Sequence, residues 1–281
     1  MQKLTAFRTW WLLRAAVVAA AIAVGMASVH ASALQVSPVR LQFHGAQKAH
    51  AIHVFNHGTQ GLDAQVRVMR WTQVGGVDQL EPAADMVASP AIVRVAPGKQ
   101  QLVRLIRGSS APQDREQSYR VLVDELPNPA PEQAAVGVQV LLRYSIPVFV
   151  EAAQAPGTPG AAHPPKQSPL GKRSSPSHAT ASATDATQLH AQWVPQGEGK
   201  GVLQVRNDGP RAVRISQLQV TQPDGTQWPV NGGGLLGYVL AGQQMRWPLD
   251  VGQSWSSDWK FEARLNDDKD VRPLPMGQQE R

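Results

Sequence analysis

Two arginines stand where their chemistry could act on a ligand. Arg40 lies in the segment SPVRLQF at 37–43, and Arg143 lies in a long apolar stretch that ends at residue 150. A guanidinium group donates paired hydrogen bonds to a carboxylate, so an arginine at the floor of a cleft can capture the C-terminus of a peptide. For each arginine taken alone, a solvated surface position without a ligand is the alternative.

Catalytic and metal-binding motifs are poorly represented. The sequence contains no G-x-S-x-G elbow, no G-x-x-x-x-G-K-[ST] phosphate loop and no cysteine. His50, His53 and His57 are close together, but in a strand His50 and His53 point to opposite faces. The acidic run at 267–270 lacks the EF-hand spacing. We therefore predict no catalytic residue, no metal site and no cofactor, and a protein that is not an enzyme.

The stretch VGVQVLLRYSIPVFV at 136–150 is the element that carries Arg143. Side chains in a strand alternate between its two faces, which gives this stretch one apolar row. We call this row the rail, and it consists of Val138, Val140, Leu142, Tyr144 and Ile146. A strand with such a rail is either a core strand or a strand that completes the sheet of another protein.

Short apolar runs separated by turn sequences predict two β-rich regions. In the first region we expect strands at 35–43, 51–56, 63–72, 92–95, 101–107, 119–126 and 136–150. About seven strands at this turn spacing predict an immunoglobulin-like sandwich. In the second region we expect strands at 190–194, 201–207, 213–221, 237–240, 245–248 and 259–264. The segment between them is rich in Pro, Ala, Ser, Gly and Thr, which is typical of a flexible linker, and no convincing repeat relates the two regions.

The first residues have the pattern of a secretory signal. Lys3, Arg8 and Arg14 precede a short apolar run, and the segment ends in the A-x-A sequence at 31–33. Cleavage there predicts a mature chain that begins at Leu34 and has no later membrane span. Removal of these three basic residues lowers the formal net charge from +6 to about +3, which is too mild to indicate nucleic-acid binding. An exported chain without cysteine fits a bacterial periplasm.

Tryptophans are concentrated in the second region, at Trp193, Trp228, Trp247, Trp255 and Trp259. Indole rings can stack on sugars, so a secreted carbohydrate-binding or adhesive two-domain β-protein is an alternative function. The same rings can fill the core of a small sandwich, because each of them buries a large apolar area. We predict that these tryptophans belong to the core.

Several short segments resemble the periplasmic pilus (fimbrial) assembly chaperones. In the first region these are SPVRLQF at 37–43, Asn56 before a turn, APGKQQLVRL at 96–105, and PQDRE at 112–116 leading through Tyr119 to DELP at 124–127. In the second region VRN at 205–207 and RISQL at 214–218 are similar to family segments. GYVL at 237–240, with Arg246 and Trp247, resembles the archaic branch that serves Csu-type or spore-coat-U-type pili.

The resemblance implies an all-β protein with two immunoglobulin-like β-sandwich domains at an angle and a cleft between them. The implied parts are a signal peptide (1–33), an N-terminal chaperone domain (34–151), a linker (152–187), a C-terminal sandwich (188–275) and a disordered tail (276–281). The implied function is that of a periplasmic chaperone, which binds pilus subunits by donor-strand complementation and delivers them to an outer-membrane usher. The strand at 136–150 would be lent, and the rail would be inserted into the subunit. A surface structural subunit that merely borrows the fold is a further alternative.

The resemblance also assigns residues to the subunit's terminal carboxylate. Arg40 takes the place of the family's first anchor, whereas Pro147 takes the place of the second anchor, a lysine on the lent strand. Arg143, on the same face of that strand, is the predicted substitute, and Arg104 and Arg107 compete with it. Without a client, the lent strand is expected to promote self-association, as uncovered strand edges do.

Overall fold

The chain folds almost entirely into β-strands. A computed structural model of the protein describes residues 33–108, 113–127, 140–152, 188–252 and 256–277. The signal peptide, linker and tail expected from the sequence lie wholly or largely outside these ranges. Within the described ranges, no helix is both long enough and apolar enough to cross a membrane.

The strands of the described residues are numbered in chain order. The first ten are β1 (Leu34–Ser37), β2 (Leu41–Phe43), β3 (Ala49–Asn56), β4 (Leu62–Val74), β5 (Val77–Pro82), β6 (Met86–Ser89), β7 (Ile92–Val95), β8 (Gln100–Arg107), β9 (Gln117–Glu125) and β10 (Arg143–Val150). The others are β11 (Leu189–Gly197), β12 (Lys200–Asn207), β13 (Val213–Thr221), β14 (Gln227–Pro229), β15 (Leu235–Val239), β16 (Gln244–Asp250), β17 (Lys260–Leu265) and β18 (Arg272–Pro273). A single turn of 3-10 helix, Asn231–Gly233, precedes β15.

The first ten strands form a sandwich of two sheets. One sheet has the order β1–β3–β8–β6, and the other has the order β2–β10–β9–β4–β5, with β7 paired to β4. Alternate residues of β1 and of most of β4 are buried, as expected for strands with one face on a core. The core between the sheets is mostly aliphatic and contains the rings of Phe43 and Tyr119. This arrangement is that of an immunoglobulin-like domain.

Two strands of this domain differ from the prediction. The strand expected at 35–43 is divided into β1 and β2, which belong to different sheets. The division falls at Pro38, which has no N–H to donate to a ladder. The strand expected at 136–150 begins only at Arg143, where β10 starts to pair with β9. Residues 140–142 lie in no strand, and 136–139 are outside the described residues.

The last eight strands form the second sandwich. The sheet β11–β12–β16 lies opposite the sheet β14–β13–β17–β18, in which β15 also pairs with β13. Trp193 is fully buried against Phe261, with the ring centroids 5.3 Å apart. The other tryptophans that pack against this core are Trp228, Trp247 and Trp259. The prediction of a tryptophan-filled core is therefore confirmed for the described residues, and Trp255 lies outside them.

An asparagine-centred turn occurs in both domains, although no repeat was evident in the sequence. The amide of Asn56 donates to the carbonyl four residues ahead and to a carbonyl of β7, and its oxygen accepts from the N–H two residues ahead. Asn207 makes the same three hydrogen bonds, with β15 in place of β7. Both side chains satisfy backbone groups that the turn would otherwise leave unpaired. The two domains thus share the same turn, which is stabilised by Asn56 in the first domain and by Asn207 in the second.

The two domains meet in a packed seam. Trp71 and Phe149 of the first domain form a buried cluster with Tyr238 and Leu240 of the second. Gln73 reaches across the seam, donating to the Tyr238 carbonyl at 2.8 Å and accepting from the Leu240 N–H at 3.0 Å. Apolar packing and paired hydrogen bonds therefore fix the two sandwiches relative to each other.

The turn between β4 and β5 makes a second contact between the domains. The Gly76 carbonyl accepts a hydrogen bond of 3.1 Å from the Arg246 N–H, beside a parallel bridge to Met245 of β16. Gly76 has a φ of +83°, and a Cβ there would collide with the Arg246 side chain. Glycine is needed at this position because the two backbones approach so closely.

Candidate functional site in the interdomain cleft and along the edge of β10

The sheet that contains β10 turns one face toward the second domain. Ile146 and Val148 point into the core of the first sandwich. Because side chains alternate along a strand, Arg143, Pro147 and Phe149 lie on the opposite face. Phe149 packs in the seam, so the part of this face next to the seam forms the floor of the cleft. We call the area around Pro147 the cleft floor.

Arg40 lies at the cleft floor. The parallel pairing of β2 with β10 brings Arg40, one residue before β2, opposite Pro147. Its guanidinium carbon is 5.4 Å from the centre of the Phe149 ring. Its Nη1 is 3.4 Å from a carboxylate oxygen of Asp267, a second-domain residue whose side chain is 52% exposed. An ion pair this long and this open to water is weak, so another carboxylate can replace Asp267.

Arg143 does not reach Arg40. It lies four residues before Pro147 on the same face, which corresponds to about 13 Å along a strand. Its guanidinium is paired with Asp124, which also accepts from Arg67 at 2.7 Å. Partial burial acts to raise the pKa of Asp124, but the hydrogen bonds from the two arginines outweigh it and lower the pKa overall. Arg143 is therefore paired with Asp124 at some distance from the cleft floor.

The two competing arginines lie in the other sheet. Arg104 is an exposed residue of β8, and Arg107 ends β8 and donates to the Gly45 carbonyl at 3.4 Å. β8 belongs to the sheet β1–β3–β8–β6, on the far side of the core from β10. None of the three arginines suggested by the sequence as a second anchor therefore stands beside Arg40.

An arginine that sequence reasoning missed, Arg120, does lie at the cleft floor. In the pairing of β9 with β10, Arg120 is the direct partner of Pro147. Its guanidinium carbon is 3.7 Å from the centre of the Trp71 ring and 5.7 Å from that of Tyr238, and its Nη1 donates to the Ser145 carbonyl at 3.4 Å. Burial lowers the pKa of Arg120, although a guanidinium stays protonated under any ordinary condition. The alternation of β9 places Arg120 opposite the core, but only the pairing register reveals its neighbour.

The rail divides into an exposed part and a buried part. Val140 is 64% exposed, whereas Leu142 and Tyr144 pack half-buried against the core of their own domain. The Tyr144 hydroxyl also donates to a carbonyl of β1 at 2.9 Å. Ile146 is only 2% exposed and belongs to that core, which corrects its assignment as an inserted residue. Val138 lies outside the described residues.

β10 has an open edge next to the exposed end of the rail. β9 pairs with β10 along its whole length, whereas β2 pairs only with residues 148–150. Among the described residues, no strand pairs with the other edge of 143–147. Val140 and Leu141 extend this edge with exposed apolar side chains. Unpaired N–H and C=O groups beside apolar side chains form a template for a strand of another protein.

Glu116 ties β2, the strand next to Arg40, to the second domain. Its carboxylate accepts a hydrogen bond of 3.1 Å from the Gln42 side chain and one of 2.9 Å from the Ala212 N–H. Burial raises the pKa of Glu116, and these hydrogen bonds and the charges of nearby arginines offset the rise only in part. A carboxyl group whose pKa is raised by burial therefore lies at the contact between the two domains.

Glu116→Gln is expected to raise the melting temperature at neutral pH and to remove a pH-dependent loss of stability. Folding raises the pKa of Glu116, so the protonated carboxyl group contributes to the free energy of unfolding. This contribution is complete below the pKa of the unfolded chain and is lost as the pH rises through the raised value. The opposing charges of Arg40 and Arg211 reduce this loss but do not cancel it. Thermal unfolding from about pH 4 to pH 8 measures the effect. Glu81→Gln, on exposed β5, is the control, and a Glu116→Gln profile parallel to that of the unmodified protein would contradict the prediction.

Together these features define a class of protein with two immunoglobulin-like sandwiches, an arginine-lined cleft and an open-edged strand beside it. Residues 33–155 match the family described as pili and flagellar-assembly chaperone, PapD N-terminal domain. This segment comprises the first domain, which is similar to the N-terminal domain of the pili and flagellar-assembly chaperones. No curated protein matches the sequence.

Several solved structures share the two-domain fold of this chain. A chain of the CsuC–CsuE chaperone–tip adhesion subunit pre-assembly complex, from the archaic chaperone-usher Csu pili of Acinetobacter baumannii, has a TM-score of 0.61 and 22% identity over 87% of this chain and 99% of that chain. The YadV chaperone has a TM-score of 0.55 and 17% identity over 86% and 97%. A chain of the Salmonella enterica SafA pilin complex with the SafB chaperone has a TM-score of 0.54 and 18% identity over 88% of this chain and 97% of that chain. The predicted fold of two immunoglobulin-like domains around a cleft is confirmed.

Proposed function

We propose that this protein is a periplasmic chaperone that captures pilus subunits by lending them the strand at 136–147, without any catalytic step. The observation that carries the proposal is the open edge of β10, which continues into exposed Val140 and Leu141. Such an edge is suited to complete an unfinished sandwich of a client. The inserted residues are Val138, Val140 and Leu142, with Tyr144 at the margin, and Ile146 stays in the chaperone's own core.

Two kinds of interaction would hold the client. Each aliphatic side chain that the client buries contributes roughly 1.5–3 kcal/mol, so three of them supply several kcal/mol after the costs of association. Backbone hydrogen bonds to the free edge of 143–147 would set the direction of the client strand. If the client strand shifts by two residues, its side chains still point to the same faces. A further contact is therefore required to select one register of the client strand.

Arg40 is the proposed source of that contact, through the terminal carboxylate of the client. Its guanidinium stands at the cleft floor and already faces a carboxylate from across the cleft, that of Asp267. The client's carboxylate would take the place of Asp267, which keeps its second ion pair with Arg214 at 2.9 Å. The chaperone would then present the client to an outer-membrane usher and exchange its strand for that of another subunit.

Arg40→Ala is expected to weaken client capture about tenfold to a hundredfold, because hydrogen bonds to a charged group contribute about 1.5–3 kcal/mol. Asp267→Asn should act in the opposite direction and strengthen capture a few-fold, because it removes the competing carboxylate. Competition between labelled and unlabelled chaperone for a co-expressed subunit measures both effects. Arg94→Ala, at an exposed arginine of β7, is the control, and equal capture by Arg40→Ala and this control would remove Arg40 from the site.

Co-expression with candidate pilus subunits, followed by purification on a tag carried by this chain, tests the function as a whole. A stoichiometric complex with one subunit is the expected result. In its absence, gel filtration should show self-association through the open edge of β10. A folded chain that captures no subunit from any candidate set would overturn the proposed function.

A further inference from the structure

The point at which β10 meets the exposed end of the rail is held by a carboxylate of β9. We propose that Glu125 is a positioning residue for client capture, because its side chain ends the β9–β10 ladder at Leu142 and keeps that N–H paired when a client covers the rail. This inference rests on the proposed function and adds a residue that acts on the lent strand. It concerns the exposed end of the rail and not the cleft floor.

Two hydrogen bonds join Leu142 to Glu125. The Glu125 N–H donates to the Leu142 carbonyl at 2.9 Å, which is one of the two bonds that such a pair exchanges in an antiparallel ladder. The second bond of a regular pair would run from the Leu142 N–H to the Glu125 carbonyl. Here the Leu142 N–H donates instead to a carboxylate oxygen of Glu125, at 3.2 Å. A side chain therefore takes the place of the last backbone acceptor of the ladder.

This exchange of acceptor lets the chain leave the sheet without an unpaired donor. A backbone N–H that loses its ladder partner is costly wherever water cannot reach it. A carboxylate on a flexible side chain can reach an N–H that has moved away from the neighbouring backbone, and a charged acceptor makes a strong hydrogen bond. The two residues before Leu142, Val140 and Leu141, lie in no strand and are exposed. Glu125 thus stands at the boundary between the paired strand and the exposed rail.

The two residues that follow this boundary are also held by their side chains. The guanidinium of Arg143 is paired with Asp124. The hydroxyl of Tyr144 donates to the Leu34 carbonyl of β1 at 2.9 Å, on the other face of the strand. Three consecutive residues at the base of the rail are therefore fixed by three different groups. Fixing the base before a client arrives reduces the ordering cost of capture.

Glu125 acts on the edge of β10 that a client does not use. In an antiparallel ladder the backbone groups of successive residues point to alternate edges of the strand. Leu142 directs its N–H toward β9, so Leu141 and Arg143 direct theirs toward the open edge. A client can pair with the open edge while Leu142 stays bonded to Glu125. When the client's groove closes over the rail and excludes water, the Leu142 N–H depends on this carboxylate.

Competition between labelled and unlabelled chaperone for the subunit found by co-expression tests the role of Glu125. Glu125→Ala is expected to weaken capture about tenfold, because it leaves an N–H unpaired where the client excludes water. Its melting temperature should change little, since water can reach half-buried Leu142 in the free chaperone. Glu125→Met, which keeps the length of the side chain without the acceptor, should behave in the same way. Glu125→Gln should retain most of the affinity, because its amide oxygen still accepts.

Glu81→Ala is the matched control, because it makes the same change on exposed β5 and should capture the subunit as the unmodified chaperone does. Amide hydrogen exchange in the complex identifies the group responsible. The Leu142 N–H should exchange faster in Glu125→Ala and Glu125→Met than in the unmodified chaperone, while the amides of 144–150 keep their protection. Those amides report whether β10 remains folded, so a general loss of structure is distinguished from the loss of one hydrogen bond.

The outcomes separate the role of Glu125 from the function that it serves. Weaker capture and faster exchange at Leu142 in both variants that lack the acceptor, with near-normal capture by Glu125→Gln, support the inference. Normal capture by Glu125→Ala, equal losses in Glu125→Ala and Glu125→Gln, or weaker capture without faster exchange at Leu142 overturns it and leaves strand lending intact. Failure of the unmodified chaperone to capture any candidate subunit overturns the proposed function itself.

Discussion

Replacing Val140 and Leu142 by aspartate is expected to abolish capture of pilus subunits. The double variant removes two aliphatic side chains worth roughly 1.5–3 kcal/mol each and would place two carboxylates in an apolar groove. The affinity should therefore fall by more than about a hundredfold. Recovery of subunit with the tagged chaperone, at equal expression, measures the loss. Because Val140 is 64% exposed and Leu142 is half-buried, the chaperone itself should remain folded with a modestly lower melting temperature.

Leu141 provides a matched control for this variant. It lies between the two replaced residues and is 41% exposed, but it has the opposite parity along an extended strand. Leu141→Asp adds one carboxylate between the two replaced positions without entering the groove, so it should capture subunits normally. Equal recovery with the double variant and with Leu141→Asp would mean that the lent strand has been wrongly assigned.

Alternating apolar residues predicted the strand at 136–150, but they could not show which residues belong to the core of their own domain and which are available to a client. Val140, Leu142 and Ile146 share one face and are equally apolar, so the same period of two fits a core strand and a lent strand. What separates them is burial. The opposite sheet of the sandwich covers Ile146 and leaves Val140 open. That boundary depends on how far the other strands extend, which the sequence of one strand does not contain.

The strand β5 was missed for a related reason. All six of its residues are exposed, and it pairs with β4 at the edge of the sheet. An edge strand without a buried face has no apolar alternation, so its sequence reads as a polar loop. β6 was missed because it is short, although Met86 at its start is fully buried.

The cleft floor illustrates what a strand-by-strand analysis omits. Arg143 was favoured because it lies on the same strand and face as Pro147, and both statements are correct. The neighbour of Pro147 in space is nevertheless Arg120, which is far from it in the sequence and adjacent through the register of β9 and β10. Register between strands is decided by packing and turn geometry together. A site assembled across three strands is therefore visible only after the sheet has been assembled.

The seam connects the stability of the protein to its proposed site. Trp71 supports Arg120 on one side and packs in the interdomain cluster on the other. Glu116 joins β2 to the second domain, so the backbone next to Arg40 is also held by the seam. A carboxylate bound to Arg40 would thus lie among groups that both domains position. Changes in the seam should consequently affect capture even where no client contact is altered.

Trp71→Ala is expected to uncouple the two domains. The ring is almost completely buried, and truncation of such a tryptophan costs about 3–5 kcal/mol. It lies in the seam cluster and not in the core of the first sandwich, so the loss should fall on the contact between the domains. Scanning calorimetry should show the single transition of the unmodified chaperone separate into two. Subunit capture should decline in parallel, because the second domain would no longer be fixed beside Arg40 and β10.

Trp193→Ala makes the corresponding change inside the second domain and is the control. Trp193 is as buried as Trp71, but it packs against Phe261 in the core of one sandwich. Its removal should lower the unfolding temperature of the second domain and leave the melting of the first domain nearly unchanged. If Trp71→Ala instead destabilises the first domain and leaves a single transition, the ring is a core residue of that domain. The seam would then be held by Gln73 and the turn at Gly76.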